Sequence, residues 1–223
     1  MNGFFVTGTD TNVGKTVLSA LLVAALDAIY WKPIQTGSIE GTDRETVRRL
    51  TGVREEQLVA EAYCFAPPVS PHLAAREAGV HIALGALAWP PPAKSPEPDR
   101  PWIVEGAGGA LVPINESETM IDLMRRIGLP VVIASRTALG TINHTLLTLA
   151  ALRNAKLEMH GVVLIGDENV ENHRAIEHYG QVRVLGRIPC LAPLDRAALL
   201  RAFDEHFDRS AFFARGAALG RAG

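Results

Sequence analysis

One pattern runs through the whole chain. Short, unbroken apolar runs rich in β-branched residues alternate with stretches whose apolar positions recur at helical spacing. The runs cover residues 4–7, 29–32, 102–105, 131–135, 161–165 and 182–188. The first helical stretch puts Val17, Leu18, Leu21, Leu22, Ala25 and Leu26 on one face, and others cover roughly 141–154 and 195–207. A strand that is apolar on both faces must be covered on both, and this alternation is how parallel sheets are built. The pattern predicts an α/β fold, a doubly wound, mostly parallel sheet with helices on both faces.

Ligands in such sheets bind beyond the carboxyl ends of the strands, so the segments that follow each run hold the chemistry. The first of these is the most informative. Residues 6–16 read VTGTDTNVGKT, directly behind the first strand and running into the first helix. A Gly-rich turn of this kind points backbone N–H groups at a phosphate chain. Lys15 adds a point charge, and Thr16 offers a hydroxyl to Mg²⁺. The helix that follows presents its positive end to the same anion. The spacing is irregular: counting back from Gly14, the leading position is Thr9, with Gly8 one residue earlier.

Other strand ends add charge. Glu105 closes a run just before Gly106, Ala107, Gly108 and Gly109, which reads as a Gly-rich turn where a carboxylate faces phosphates rather than solvent. Lys32 ends another run before Pro33; a second cation there would neutralise charge developing on a transferring phosphoryl group, although a snorkelling lysine fits the same spacing. Asp43 opens a helix, where spacing alone reads equally as a cap or first-turn acid. Of the seven histidines, His72 and His144 read as structural, and no Ser/His/Asp or Cys/His arrangement emerges.

Composition removes several classes. With 223 residues the expectation is a single domain over 1–213, with a small, Gly-rich, frayed tail over 214–223. The Pro-rich segment 89–101 reads as a surface connection rather than a domain boundary. A net charge of −2 leaves no basic surplus for nucleic acid or a membrane surface. The N-terminus reads as a strand rather than a signal peptide, and no apolar run reaches the ~18 residues of a membrane span. Two distant cysteines, Cys64 and Cys190, read as structural thiols in a reducing cytoplasm.

GTDTNVGKT at 8–16, YWKPIQTG at 30–37, VSPH at 69–72, VEGAGG at 104–109 and LGTINH at 139–144 stand in the order found in dethiobiotin synthetases. The chain resembles that family over about residues 1–195. The resemblance implies a P-loop NTPase-type fold and a cytoplasmic homodimer with its substrate site at the interface. It also implies an ATP- and Mg²⁺-dependent ring closure of a diaminononanoate with CO₂. By the same resemblance, Lys15 and Lys32 are catalytic, and Thr16, Asp43 and Glu105 hold Mg²⁺. Thr11, Thr36 and the segment Leu139, Gly140, Thr141, Ile142 and Asn143 contact the substrate, the last taking its tail carboxylate at a helix N-terminus. Asn12, Val13, Gly14, Val17, Gly106, Ala107 and Gly108 join the nucleotide's phosphate side. Ile165, Gly166, Pro189, Cys190 and Leu191 lie on its base side.

Two positions depart from the family pattern. Ile165 stands where many relatives place an Asn that reads adenine, and Ile165 offers no donor–acceptor pair. That predicts relaxed nucleotide preference. Asn12 stands where some relatives carry Glu. The alternative reading, a partition-type switch ATPase of related fold, expects a lysine early in the loop, where this chain has Thr9 and Asp10. Glutamine-dependent amide ligases of related architecture carry a further glutaminase domain, for which 223 residues leave no room.

Overall fold

The computed structural model describes residues 2–90 and 100–213. Within it, β1 (Gly3–Gly8) leads into α1 (Lys15–Leu26) and β2 (Ile29–Trp31). β3 (Ile34–Thr36), α2 (Asp43–Thr51), β4 (Leu58–Val59), β5 (Tyr63–Phe65) and α3 (Pro71–Glu77) follow. The second half holds β6 (Trp102–Gly109), α4 (Met120–Ile127), β7 (Val131–Arg136), α5 (Thr141–Asn154), β8 (Met159–Ile165), α6 (Val170–Gly180), β9 (Val184–Ile188), α7 (Arg196–His206) and α8 (Arg209–Phe213).

Seven strands form one sheet in the order β4-β2-β6-β1-β7-β8-β9, every pair parallel. Strand alternation splits the core in two. Phe5, Ile29, Trp31, Val104, Ile133 and Leu164 pack on one face with α4, α5 and α6. Phe4, Val6, Tyr30, Ile103, Val132 and Val163 pack on the other with α1, α2 and α7. This explains the unbroken apolar runs: in β1 all six residues are buried, with no solvent face on which polar residues could alternate.

The Gly-rich stretch after Glu105 is not a turn. It is the second half of β6, whose Gly109 pairs with Gly8 across a register shift. A Cβ on Gly109 would stand 3.3 Å from the carbonyl oxygen of Gly8, so small residues let two backbones approach where the phosphate loop begins. The segment after Lys32 also holds more structure than its sequence suggests. β3 pairs with β5 in a separate two-stranded sheet, both too short for a period to register. The ninth strand begins at Val184 rather than 182. Cys64 and Cys190 are exposed free thiols, not buried structural ones. Residues 91–99 of the Pro-rich segment and the expected tail, 214–223, lie outside the described residues. No helix among the described residues is long and apolar enough to cross a membrane.

Candidate active site

The turn between β1 and α1 owes its shape to two glycines. Gly14 caps α1 at φ 99°, a left-handed conformation that suits glycine. A Cβ there would also meet Ile165 Cδ1 at 2.8 Å, which shows where Ile165 sits: against the loop. Gly8 lets the loop fold over itself, since its Cβ would strike the Val13 side chain at 2.7 Å and the Asp10 carbonyl at 2.9 Å. No side chain caps α1. The first-turn N–H groups of Lys15, Thr16 and Val17 have no partner within the helix, so they are available to an anion.

The sheet register then gathers the charges. β2 and β6 pair with Tyr30 opposite Ile103, which carries Lys32 and Glu105, two residues on, to the same end and the same face. That face is the one covered by α1 and α2, the helices that carry Thr16 and Asp43. α2 is started by a capping box in which Thr42 Oγ1 accepts from Glu45 N–H at 3.1 Å and Glu45 Oε2 accepts from Thr42 N–H at 2.7 Å. The cap is Thr42, so Asp43 is free of capping duty. Its own N–H donates to Gln35 Oε1 at 3.3 Å.

Six side chains converge there. Lys32, 6% exposed, forms ion pairs with Asp43 and, at 3.2 Å, with Glu105 Oε1. Thr16 Oγ1 lies 2.9 Å from Asp43 Oδ1 and 3.0 Å from Glu105 Oε1. Glu105 is 1% exposed, and its Oε2 accepts from the Tyr30 hydroxyl at 3.0 Å. The Lys15 ammonium donates to the Asp10 carbonyl at 2.9 Å.

Electrostatics follow from this burial. Desolvation pulls the Lys15 ammonium down to about 8, and the nearby Lys32 adds to this against the attraction of Glu105. Burial acts on Lys32 in the same direction, but Glu105 and Asp43 outweigh it and hold its ammonium above the usual lysine range. Burial would raise the Asp43 carboxyl, yet Lys32 and the Thr16 hydroxyl keep it below the usual carboxylate range. Burial, with the charge of Glu105, drives the Tyr30 phenol well above its ordinary value.

The oxygen set fits a small, hard cation. A hydroxyl has one proton, so Thr16 satisfies one carboxylate oxygen at a time. Neighbouring ligands of an octahedral Mg²⁺ with bonds of about 2.0–2.1 Å lie about 2.9 Å apart. The Thr16 to carboxylate spacings, 2.9 and 3.0 Å, match.

The other expected site residues fall around this centre. Thr11, Asn12 and Val13 lie in the loop, with Asn12 at φ 55°. Thr36, half-buried, ends β3. Gly106, Ala107 and Gly108 continue β6, with Gly108 facing Thr11. Leu139 is fully exposed before Gly140, which starts α5 at φ 92° without a side-chain cap. The Thr141 hydroxyl is already engaged by Ser135 and the Arg136 carbonyl; Ile142 is half-buried and Asn143 exposed. Among the described residues no hydrogen bond joins 139–143 to the Lys32 cluster. Ile165 ends β8 and Gly166 follows it, while Pro189, Cys190 and Leu191 follow β9.

Three residues at the site had no role assigned from the sequence. Tyr30 is hidden in an apolar run as one more aromatic. Gln35 lies inside an unrecognised strand. Arg136 ends β7, and its guanidinium donates to the carbonyls of Thr11 at 3.2 Å and Asn12 at 3.1 Å, clamping the loop's strained residue.

An uncapped helix behind the first strand of a parallel sheet, with a lysine, a hydroxyl and two carboxylates at its mouth, defines a P-loop nucleotide-dependent enzyme. A family model described as an AAA domain matches residues 2–198. A ParA family ATPase from Chlorobium tepidum TLS shares the fold at a TM-score of 0.51 and 10% identity, covering 92% of this chain and 93% of that one. Sequence relatives are more specific. The ATP-dependent dethiobiotin synthetase BioD of Nitrobacter hamburgensis is 53% identical over 202 residues, 91% of this chain and 92% of the relative. Its namesake in Agrobacterium fabrum is 47% identical over 209 residues, 94% of this chain and 96% of the relative. The chain belongs to the ATP-dependent dethiobiotin synthetase family.

Proposed function

We propose that this chain closes the cyclic urea of dethiobiotin in three steps. An amine of a diaminononanoate first captures CO₂ as a carbamate. A carbamate oxygen then attacks the γ-phosphorus of ATP, and ADP leaves, giving a carbamic–phosphoric anhydride. The neighbouring amine attacks the carbonyl carbon, the bond to the phosphate oxygen breaks, and inorganic phosphate departs. No protein nucleophile is required, so the side chains position reactants and stabilise charge. Lys15 holds the terminal phosphates. Lys32 neutralises the carbamate and the transferring phosphoryl group. Thr16, Asp43 and Glu105 would hold Mg²⁺, which shields the phosphate oxygens when bound. Thr11 and Thr36 border the substrate.

The observation that carries this reading is the Lys32 ammonium, buried between Asp43 and Glu105 beside the phosphate loop. Replacing Lys32 by Gln should lower turnover about 100-fold or more, the size of one transition-state charge contact, while leaving ATP binding within about tenfold. Near-normal turnover of Lys32→Gln would remove its catalytic role. ATP hydrolysis that requires both the diamine and bicarbonate supports a synthetase; hydrolysis stimulated by DNA or lipid and indifferent to the diamine supports a partition-type switch. The partition-type fold likeness stands at 10% identity and speaks for architecture alone.

Further parts of the reading rest on the surface. The uncapped start of α5 at Gly140 supports a carboxylate site at Leu139–Asn143 made of backbone N–H groups. Exposed Leu139 and Leu147 on and before the same helix support a homodimer that brings this segment to the partner's reactants. Ile165, packed on Gly14, supports base selection by backbone groups near Gly166 and Pro189–Leu191. Comparable efficiency with ATP, CTP and GTP is expected; a strong preference for ATP would overturn it. One domain over 1–213 and a cytoplasmic location complete the proposal.

A further inference from the structure

Glu105 is held from two sides. Its Oε1 faces the reaction centre, 3.0 Å from Thr16 Oγ1 and 3.2 Å from Lys32 Nζ. Its Oε2 points the other way and accepts the Tyr30 hydroxyl at 3.0 Å. Tyr30 is fully buried in β2, its ring packed in the core between the sheet and α1 and α2, so its hydroxyl has no route to solvent. The hydrogen bond restrains rotation of the carboxylate and takes up one lone pair of Oε2 on the core side, which disfavours both oxygens reaching one cation.

We propose that Tyr30 is a positioning residue that makes Glu105 a one-oxygen ligand, reserving Oε1 for a divalent cation beside Thr16 and Asp43. The inference rests on the reading of Glu105 as a Mg²⁺ ligand and adds a selectivity to it. Mg²⁺ demands near-octahedral geometry, whereas Ca²⁺ takes six to eight oxygens and accepts bidentate carboxylates. Fixing Oε2 favours the smaller ion. Partners that orient a metal ligand from behind typically matter 10–100-fold in metal affinity.

The test uses the full chain saturated with a non-hydrolysable ATP analogue, titrated calorimetrically with Mg²⁺ and, separately, with Ca²⁺. Tyr30→Phe should weaken Mg²⁺ about tenfold and Ca²⁺ by less than about threefold, leaving metal-free binding of the analogue within about twofold. In turnover, the same variant should need about tenfold more Mg²⁺ for half-saturation and recover to within about threefold at saturating metal. In a Glu105→Gln background, Tyr30→Phe should have no further effect on either ion. Equal weakening of both ions, an unchanged Mg²⁺ affinity, or a full Tyr30→Phe effect persisting in Glu105→Gln would each overturn the positioning role. If Glu105→Gln alone leaves metal binding unchanged, it is the ligand reading itself that falls, and this inference falls with it.

Discussion

At the scale of single residues, the site is an arrangement of opposed charges on largely buried side chains. Lys15 and Lys32 differ in a way their sequence does not show. Lys32 has two carboxylates and stays charged, whereas Lys15 leans on a backbone carbonyl and sits near 8. Phosphate binding needs the charged form. Above pH 8 the free protein must take up a proton to bind ATP, so metal-free ATP affinity should fall about tenfold between pH 7 and 9. Calorimetry in buffers of different ionisation heat would show that proton uptake. The sign for stability is opposite. Burial makes charged Lys15 a cost to the fold, full below about pH 8 and gone above the unfolded lysine value. Removing the Lys32 cation leaves Asp43 and Glu105 facing each other. Lys32→Gln should therefore lose about 3–5 kcal/mol of stability. Millimolar Mg²⁺ should raise its melting temperature more than that of the unaltered protein.

At the scale of elements, α2 matters because it delivers Asp43. Thr42→Ala breaks the capping box and should cost about 1 kcal/mol. The loss should appear first as faster amide exchange in α2, with a higher Mg²⁺ requirement and little change in maximal rate. Arg136→Ala should loosen the loop at Asn12 and raise the KM for ATP, leaving turnover at saturation nearly intact. The long elements were legible in the sequence: 141–154 reads as a helix and is α5, and each long apolar run is a strand of the sheet. β3, β4 and β5, of two or three residues, were not, because a period of two cannot register over so short a run. The grouping of Lys15, Thr16, Lys32 and Glu105 was legible because strand ends in a parallel sheet meet at one edge; Asp43, at a helix start, joined it only through the family resemblance. Tyr30 and Arg136 were not, because their part depends on register and on a carbonyl far away in the chain.

At the scale of the whole molecule, α5 and the segment before it leave apolar side chains open to solvent. Leu147 is 62% exposed one turn along from Asn143, and Leu139 stands fully in solvent. A charge at Leu147, as in Leu147→Lys, should shift sedimentation toward monomer and raise the KM for the diamine, with ATP binding unaffected. The sheet order carries a separate consequence. β1 is made well before both its neighbours: β6 starts only at Trp102 and β7 at Val131, with β2 to β5 in between. The nascent phosphate loop therefore leaves the ribosome with neither flank in place. Its clamp, Arg136, emerges later still. Nucleotide cannot template early folding, and stalled chains shorter than about 140 residues would expose an unpaired apolar strand that chaperones must shield.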